Sequence, residues 1–236
     1  MPPSDQLRLI LVTGASRGIG RALTVALAAA GHHPIALART QGALEALDDE
    51  ITAAGGRVTM IPADLTDREA MARLPEALAA RFGRLDGFVA NAGSLGDLTP
   101  IADIQEKMWD RTMALNVTAN AFLLTGLDPL LRQSAAGRVV GITSSRARKF
   151  KPFWGPYSAS KAAFEAVFLT YAAETEESAL RVNLVNPGPM RTAMREKAMP
   201  GEDPASLPPP AALAPLVLDL LSPEEDRHGQ LVTFSA

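Results

Sequence analysis

A doubly wound parallel α/β sheet with helices on both faces is the fold class that three features of the sequence predict. Short runs of β-branched and aliphatic residues alternate with longer segments of helical pattern. Most of these runs are nearly continuous in apolar residues, which is typical of parallel strands buried on both faces. The first run ends in a glycine-rich turn that opens the first helical segment. Together they indicate a Rossmann-type sheet.

The elements follow one another in a regular order. Runs such as LRLILVT and RVVGITS predict seven strands, at 7–13, 33–38, 57–63, 86–91, 138–144, 181–186 and 230–234. Helical patterns lie between them, at 18–30, 41–54, 67–82, 103–133, 157–176 and 210–221. The segment MPGEDPASLPPPAA, 199–212, carries five prolines, which exclude a regular helix or inner strand. We expect a mobile loop there.

Composition excludes several classes of protein. The 236 residues, 47% of them hydrophobic, suffice for a single domain, 1–236, with one core. Without cysteine there are no disulfides and no thiolate sites, and His32 and His33 lack a third metal ligand, so no metal is expected. The start MPPSDQLR lacks a signal-peptide core, and no apolar run reaches the roughly 18 residues of a membrane span. A cytoplasmic protein without a membrane partner is therefore expected. A net charge of −3 gives no sign of the basic surface that nucleic acid binding requires.

The turn TGASRGIG, 13–20, is the first segment with a chemical signature. Gly14, Gly18 and Gly20 allow a tight turn and close approach of a ligand to the backbone. The helix that follows offers free N–H groups and a positive dipole end to a pyrophosphate. The spacing G-x-x-x-G-x-G therefore predicts a dinucleotide site.

The stretch YSASKAAF carries a second signature. Tyr157 and Lys161 stand four residues apart, so a helix places them on one face. A nearby positive charge favours the phenolate and so lowers the pKa of a phenol, which is otherwise near 10. The pair is a candidate proton donor with its tuning group.

Six motifs occur in a characteristic order: TGASRGIG, NAG at 91–93, Asn116, ITSS at 142–145, YSASK at 157–161 and NPGPMRT at 186–192. In order and spacing they resemble the short-chain dehydrogenase/reductase family, from residue 7 to about residue 234. WGPYSASK and RVNLVNPGPMRTAMRE look most similar to an uncharacterised bacterial oxidoreductase branch of that family. The resemblance implies about seven strands in the order 3-2-1-4-5-6-7.

The resemblance also implies catalytic roles. Tyr157 matches the residue that gives a proton to a carbonyl oxygen, and Lys161 the residue that tunes it and binds the nicotinamide ribose. Ser144 stands at the usual separation of 13 residues before the tyrosine, with Ser145 as the alternative. Asn116 matches the asparagine that supports a water relay from the lysine to solvent.

Cofactor contacts follow from the same resemblance. Besides Tyr157 and Lys161, the matching positions are Gly14, Ser16, Arg17, Gly18, Ile19, Gly20, Asp64, Leu65, Asn91, Ala92, Gly93, Pro187, Gly188, Met190 and Thr192. After the second strand the chain reads ALART, with Arg39 where an NAD enzyme tends to carry an acid. Arg39 and Arg17 can flank a 2′-phosphate, which predicts NADP(H); a solvated Arg39 without ligand is the alternative.

The substrate side gives broader expectations. Segments 94–98, 146–154 and 190–199 should border the pocket, with 191–210 as a mobile substrate loop. The aromatic and methionine side chains suggest an apolar wall: Phe150, Phe153, Trp154, Met190 and Met194. The basic side chains either meet an anionic group in the pocket or lie on the surface: Arg146, Arg148, Lys149 and Lys151.

The functional prediction is an NADPH-dependent oxidoreductase of the short-chain type, a carbonyl reductase or alcohol dehydrogenase that transfers hydride between the nicotinamide and a small carbonyl or alcohol substrate, with Tyr157 as general acid or base. Two alternatives stay open: an NAD-dependent hydroxy-compound dehydrogenase, and a dinucleotide-binding sensor without turnover. The resemblance implies a homodimer or homotetramer. The carboxyl end, QLVTFSA, is shorter than in many relatives, which bears on both the enclosure of the site and the choice between these assemblies.

Overall fold

A seven-stranded parallel sheet forms the centre of the computed structural model, which describes residues 7–235. Most of the amino-terminal segment MPPSDQLR, residues 1–6, therefore lies outside the described residues, as does Ala236. The strands are β1 (Leu9–Thr13), β2 (His33–Ala38), β3 (Thr59–Pro62), β4 (Gly87–Ala90), β5 (Arg138–Ile142), β6 (Arg181–Asn186) and β7 (Leu231–Thr233). Their order is 3-2-1-4-5-6-7 with every pair parallel, which confirms the predicted topology.

Eight α-helices accompany the sheet in the described part of the chain. They are α1 (Gly18–Ala29), α2 (Gln41–Ala53), α3 (Arg68–Phe82), α4 (Glu106–Met113), α5 (Asn120–Arg132), α6 (Gly155–Glu174), α7 (Ala193–Ala198) and α8 (Ala214–Leu220). Alternate residues of β1 enter different cores: Leu9 and Leu11 pack on one face of the sheet, Ile10 and Val12 on the other. This is why the strands read as continuous apolar runs. Among residues 7–235, no helix has the length and apolar character that crossing a bilayer requires.

The helix predicted over 103–133 is interrupted in the structure. A π-helical turn, Ala114–Ala119, separates α4 from α5. From the first position of α5, the Asn120 side-chain amide donates to two carbonyls inside this turn, those of Leu115 at 2.9 Å and Asn116 at 3.2 Å. Such side-chain bonds compete with the regular helical ladder, and single π turns are frequent at functional sites.

The segment predicted as a substrate loop contains a helix that the sequence pattern did not indicate. Helix α7 begins after Thr192, whose hydroxyl accepts a hydrogen bond from the Arg195 amide as an N-cap. The prolines start only at residue 200, so they leave 193–198 free to be helical. Within 199–212 the chain forms short 3₁₀ turns and no α-helix, as the prolines predict.

Parallel pairing brings the carboxyl ends of β1, β4, β5 and β6 to one edge of the sheet. The turns after these strands carry the motifs singled out in the sequence. In open α/β sheets ligands bind at this edge, in the crevice where the strand order reverses. Here the reversal falls between β1 and β4.

Candidate active site

A cavity of about 370 Å³ opens at this edge. Tyr157 and Lys161 of α6 line it together with Ser144, which follows β5. Several predicted cofactor positions line it too: Ile19, Asn91, Gly93, Pro187, Gly188, Met190 and Thr192. The turns after β1, β4, β5 and β6 thus meet around one space.

The glycine turn is fixed by close contacts rather than by loop length. Gly14 and Gly18 have φ of +67° and +56°, a left-handed conformation that favours glycine. A Cβ on Gly20 would lie 2.3 Å from the Gly14 carbonyl oxygen and 2.5 Å from Asn91 Nδ2, so no larger residue fits. Asn91 Nδ2 in turn donates to the Thr13 carbonyl at 2.9 Å. The turn is therefore locked to the end of β4.

The amino terminus of α1 has no side-chain cap. Its first N–H groups have no intrahelical partners and carry the positive end of the helix dipole. A Cβ on Gly18 would lie 3.6 Å from Thr192 Cγ2, which places Thr192 beside this turn. Ser16 is half-buried and Arg17 exposed. This corner of the cavity can hold a pyrophosphate.

Lys161 is buried at the floor of the cavity, with 5% of its surface exposed. Its ammonium donates to the Ile142 carbonyl at 2.9 Å. Burial lowers its pKa from 10.5 to about 8, while the negative charge of Glu165 acts in the opposite direction. Lys161 therefore loses its proton near the upper end of the physiological range.

Asn116 lies behind the cavity wall and is fully buried. Its Oδ1 accepts from the Ser94 amide at 2.7 Å, and its Nδ2 donates to the Ser94 carbonyl at 2.8 Å and to Ser160 Oγ at 2.9 Å. One side chain thereby ties the loop after β4 to α6. These bonds fix the α6 face that carries Tyr157 and Lys161.

The Tyr157 side chain is 7% exposed. Burial raises the pKa of its phenol, and a hydrogen bond with Ser144 partly opposes this. The net direction is opposite to the lowering expected from a neighbouring lysine, because desolvation outweighs the favourable contacts. Tyr157 therefore keeps its proton at neutral pH.

The two serines after β5 differ in their contacts. The Ser144 hydroxyl forms a hydrogen bond with the Tyr157 phenol and also accepts one from the backbone amide of Arg146 at 3.2 Å. Ser145 also lines the cavity, and its amide donates to Asn186 Oδ1 at 3.1 Å. Contact with the phenol favours Ser144 as the residue that would hold a substrate oxygen.

Glu165 is a buried acid beside the site that the sequence analysis did not single out. Its carboxylate accepts from Thr143 Oγ1 at 2.8 Å and from Arg148 Nε at 2.7 Å. It stands four residues after Lys161 on α6, so helical spacing alone places both on one face. Extending the Y-x-x-x-K pattern by one turn would have found it.

Of the two arginines predicted to flank a 2′-phosphate, Arg39 lies farther along the sheet edge than Arg17. Arg39, at the end of β2, is 79% exposed and lies 3.7 Å from the Asp64 carboxylate, which follows β3. Hydrogen bonds from Thr66 are the main reason that the pKa of Asp64 is lowered, and the Arg39 charge adds to them. The remaining predicted positions do not line the cavity: Gly14, Ser16, Arg17, Gly18, Gly20, Arg39, Asp64, Leu65, Ala92 and Asn116.

The substrate side confirms part of the expected apolar wall. Trp154, Met190 and Met194 line the cavity. Phe150 and Phe153 do not, since their exposed fractions are 80% and 56%. Between β5 and α6 the chain forms a 3₁₀ turn, and Phe153 has a left-handed backbone conformation with φ of +74°.

A glycine turn at the switch point of a doubly wound sheet, with a buried tyrosine and lysine facing the same cavity, defines a Rossmann-type oxidoreductase. The sequence profile of the short chain dehydrogenases matches residues 8–203. The chain belongs to the short-chain dehydrogenase family.

Individual relatives agree with this placement. The uncharacterized oxidoreductase YciK of Escherichia coli K12 is 39% identical over 240 residues, covering 100% of this chain and 94% of the relative. A short chain dehydrogenase of Escherichia coli CFT073, solved in complex with NADPH, has a TM-score of 0.93 at 38% identity. The match covers 98% of this chain and 99% of that structure's chain. Another, from Shigella flexneri 2a, solved with NADP, has a TM-score of 0.92 at 38% identity and 96% coverage of both chains.

Proposed function

We propose that this protein uses NADPH to reduce the carbonyl group of a small molecule, with Tyr157 as the proton donor. The observation that carries the proposal is the Tyr157 phenol itself. It is buried, contacts the Ser144 hydroxyl and shares the cavity with the Lys161 ammonium. A phenol that holds its proton at neutral pH suits reduction better than oxidation.

The residues present fit a nicotinamide dinucleotide. The uncapped start of α1 and the glycine turn suit a pyrophosphate. Lys161 uses one of its three N–H donors on Ile142, which leaves the others for ribose hydroxyls. Arg39 is exposed at the end of β2, where a 2′-phosphate would lie, and the relatives solved with NADPH and NADP support this choice of cofactor.

Bound there, the reduced nicotinamide would supply a hydride to the carbonyl carbon. Ser144 would hold the carbonyl oxygen against Tyr157, whose phenol gives that oxygen its proton, so the product is an alcohol. The phenolate left on Tyr157 gains from the positive charge of Lys161 on the same helical face. Asn116 acts as a positioning residue, because its bonds to Ser94 and Ser160 hold α6 in place.

A conservative pair of variants tests the proposal. Tyr157→Phe should lower kcat/KM for NADPH-dependent reduction by at least about 10²- to 10⁴-fold, the range of general acid catalysis, and leave NADPH binding nearly unchanged. Tyr171→Phe is the matched control, since Tyr171 lies on the same helix and bonds Asp128 at 2.7 Å, away from the cavity. It should retain activity.

The assay follows NADPH oxidation over a panel of aldehydes, ketones, quinones and keto-esters, with NADPH affinity measured by fluorescence. Retained activity in Tyr157→Phe would remove the tyrosine from its role. Tight NADPH binding without turnover of any panel member in the unaltered protein would favour the sensor alternative. Tighter binding of NADH than NADPH would favour the NAD-dependent dehydrogenase.

A further inference from the structure

The charge of the cavity wall is one-sided. Four basic side chains line it: Arg146, Lys151, Lys161 and Arg195. Within the part of the chain that the structure describes, no aspartate or glutamate lines it. Lys161 is buried, Arg146 and Arg195 are half-buried, and Lys151 is exposed. Basic groups withdrawn from water are unfavourable unless an anion pairs with them.

Two of the four cations are engaged by the protein. Arg195 forms two bonds of 2.6 Å to the carboxylate of Glu202. Lys161 bonds the Ile142 carbonyl and is stabilised by the charge of Glu165. Their positive charges therefore have partners without a substrate.

Arg146 and Lys151 differ from these two. Neither lies within 4.0 Å of a carboxylate among residues 7–235. Glu202 lies close enough for the Lys151 charge to lower its pKa, but both of its oxygens are bonded by Arg195. Arg146 instead lies against the Trp154 ring, and Lys151 Nζ lies 3.9 Å from Met199 Sδ. In the described part of the chain they are thus the two lining cations without a carboxylate partner.

The position of Arg146 in the cavity separates it from the predicted cofactor residues. The Arg146 guanidinium lies 5.7 Å from the centre of the Trp154 ring, and that ring packs edge-on against Tyr157 at 5.8 Å. The Ser144 hydroxyl accepts from the Arg146 amide. The pyrophosphate corner instead lies at Gly18 and Thr192. Arg146 therefore lies on the Trp154 side of the proton donor.

The neighbouring basic residues of RARKFK, 146–151, are arranged differently. Arg148 donates to Glu165. Lys149 and Lys151 are both exposed, but only Lys151 lines the cavity. Only the first and last cations of the segment line the cavity. The structure therefore distinguishes Arg146 and Lys151 from the other basic residues of the segment.

We propose that the substrate is a carbonyl compound that also carries a carboxylate or a phosphate, and that Arg146 binds this anion with Lys151 as the second cation. A planar guanidinium meets either group with two parallel charge-assisted hydrogen bonds. The apolar side chains of Trp154, Met190 and Met194 cover the carbon skeleton between the anion and the carbonyl. The inference rests on the proposed reduction and names its substrate class.

Matched substrates test it. Terephthalaldehydic acid is compared with its methyl ester, and glyceraldehyde phosphate with glyceraldehyde, so that each pair differs in the anion. The unaltered protein should prefer the charged member of at least one pair by roughly ten- to a hundredfold in kcat/KM. Arg146→Gln should lower kcat/KM for that member at least about tenfold and change the neutral one less than about threefold. Lys149→Gln, an equal change of charge three residues from Arg146, should keep the preference.

Binding measurements separate this inference from the proposed reaction. Terephthalate and phenyl phosphate are titrated into the NADP⁺ complex of the unaltered protein and of Arg146→Gln. If terephthalate or phenyl phosphate binds and Arg146→Gln weakens that binding at least about tenfold, the result supports the anion site. This holds even if no carbonyl compound is reduced, an outcome that would count against the proposed reductase activity and not against the anion site. Equal kcat/KM for charged and neutral members, or anion binding that is absent or indifferent to Arg146, overturns the inference. An equal loss of NADPH affinity in Arg146→Gln also overturns it, because Arg146 would then serve the cofactor.

Discussion

Replacing Glu165 by glutamine should move the pH dependence of reduction to lower pH. In the proposed mechanism Lys161 supports Tyr157 only while it is protonated, and burial lowers the pKa of Lys161 to about 8. The sign follows from the lowered pKa: the positive charge is present below about pH 8 and lost above it. Activity should therefore fall as the pH rises through this value in the unaltered protein.

The size of the shift follows from the spacing on α6. Side chains four residues apart on a helix are about 6 Å from each other. At an effective dielectric constant of about 20, two unit charges at that distance interact by about 3 kcal/mol, equivalent to about two pKa units. Arg148 binds the same carboxylate and offsets part of its charge, so we expect the midpoint to fall by about one pH unit.

The assay is kcat/KM for carbonyl reduction across the pH range at saturating NADPH. At about pH 7.5 the protonated fraction of Lys161 should drop from roughly three-quarters to roughly one-quarter, which gives a loss of about threefold. At about pH 6 the two proteins should be nearly equal. Glutamine keeps a side-chain oxygen that can accept a hydrogen bond from the Thr143 hydroxyl, so this bond is preserved in the variant.

Arg148→Gln is the control, because it breaks the same ion pair but leaves the negative charge of Glu165 beside Lys161. It should not move the midpoint to lower pH. A common acid shift in both variants would mean that the ion pair acts through structure rather than charge. Unchanged midpoints in Glu165→Gln would refute the electrostatic argument.

Two further predictions concern the cofactor and the substrate loop. Arg39→Asp should weaken NADPH binding by roughly ten- to a few-hundred-fold at low salt and reverse or abolish the preference over NADH, because the acid repels a 2′-phosphate and accepts from a ribose hydroxyl. Titrations with NADPH and NADH measure these affinities, and Arg57→Asp is the control because Arg57 is exposed and precedes β3. Equal affinities of the unaltered protein for NADPH and NADH would contradict the prediction. Trypsin should cut within 191–210 more slowly when NADP⁺ and terephthalate are both bound, because side chains of α7 line the cavity. A cleavage rate indifferent to both ligands would make the segment a surface connection.

The sequence by itself determined the sheet and much of the site. Continuous apolar runs separated by helices fix a parallel sheet, because only strands covered on both faces exclude polar residues from both sides. The glycine turn is equally local, since Gly20 is required by its contact with Gly14 six residues earlier. Tyr157 and Lys161 share a face because of helical spacing alone.

Tertiary structure decided the properties that depend on residues distant in sequence. The π turn at Asn116 and its bonds to Ser94 and Ser160 join three separate segments, so no local pattern predicts them. Desolvation likewise set the direction of the Tyr157 pKa against the expectation from its neighbour. The basic residues of 146–151 look alike in sequence, yet only packing against Trp154 and Glu165 assigns one arginine to the cavity and the other to an ion pair. The physical reason is that burial and charge pairing are set by what the whole fold brings together, whereas periodicity and backbone conformation are set by the nearest residues in the chain.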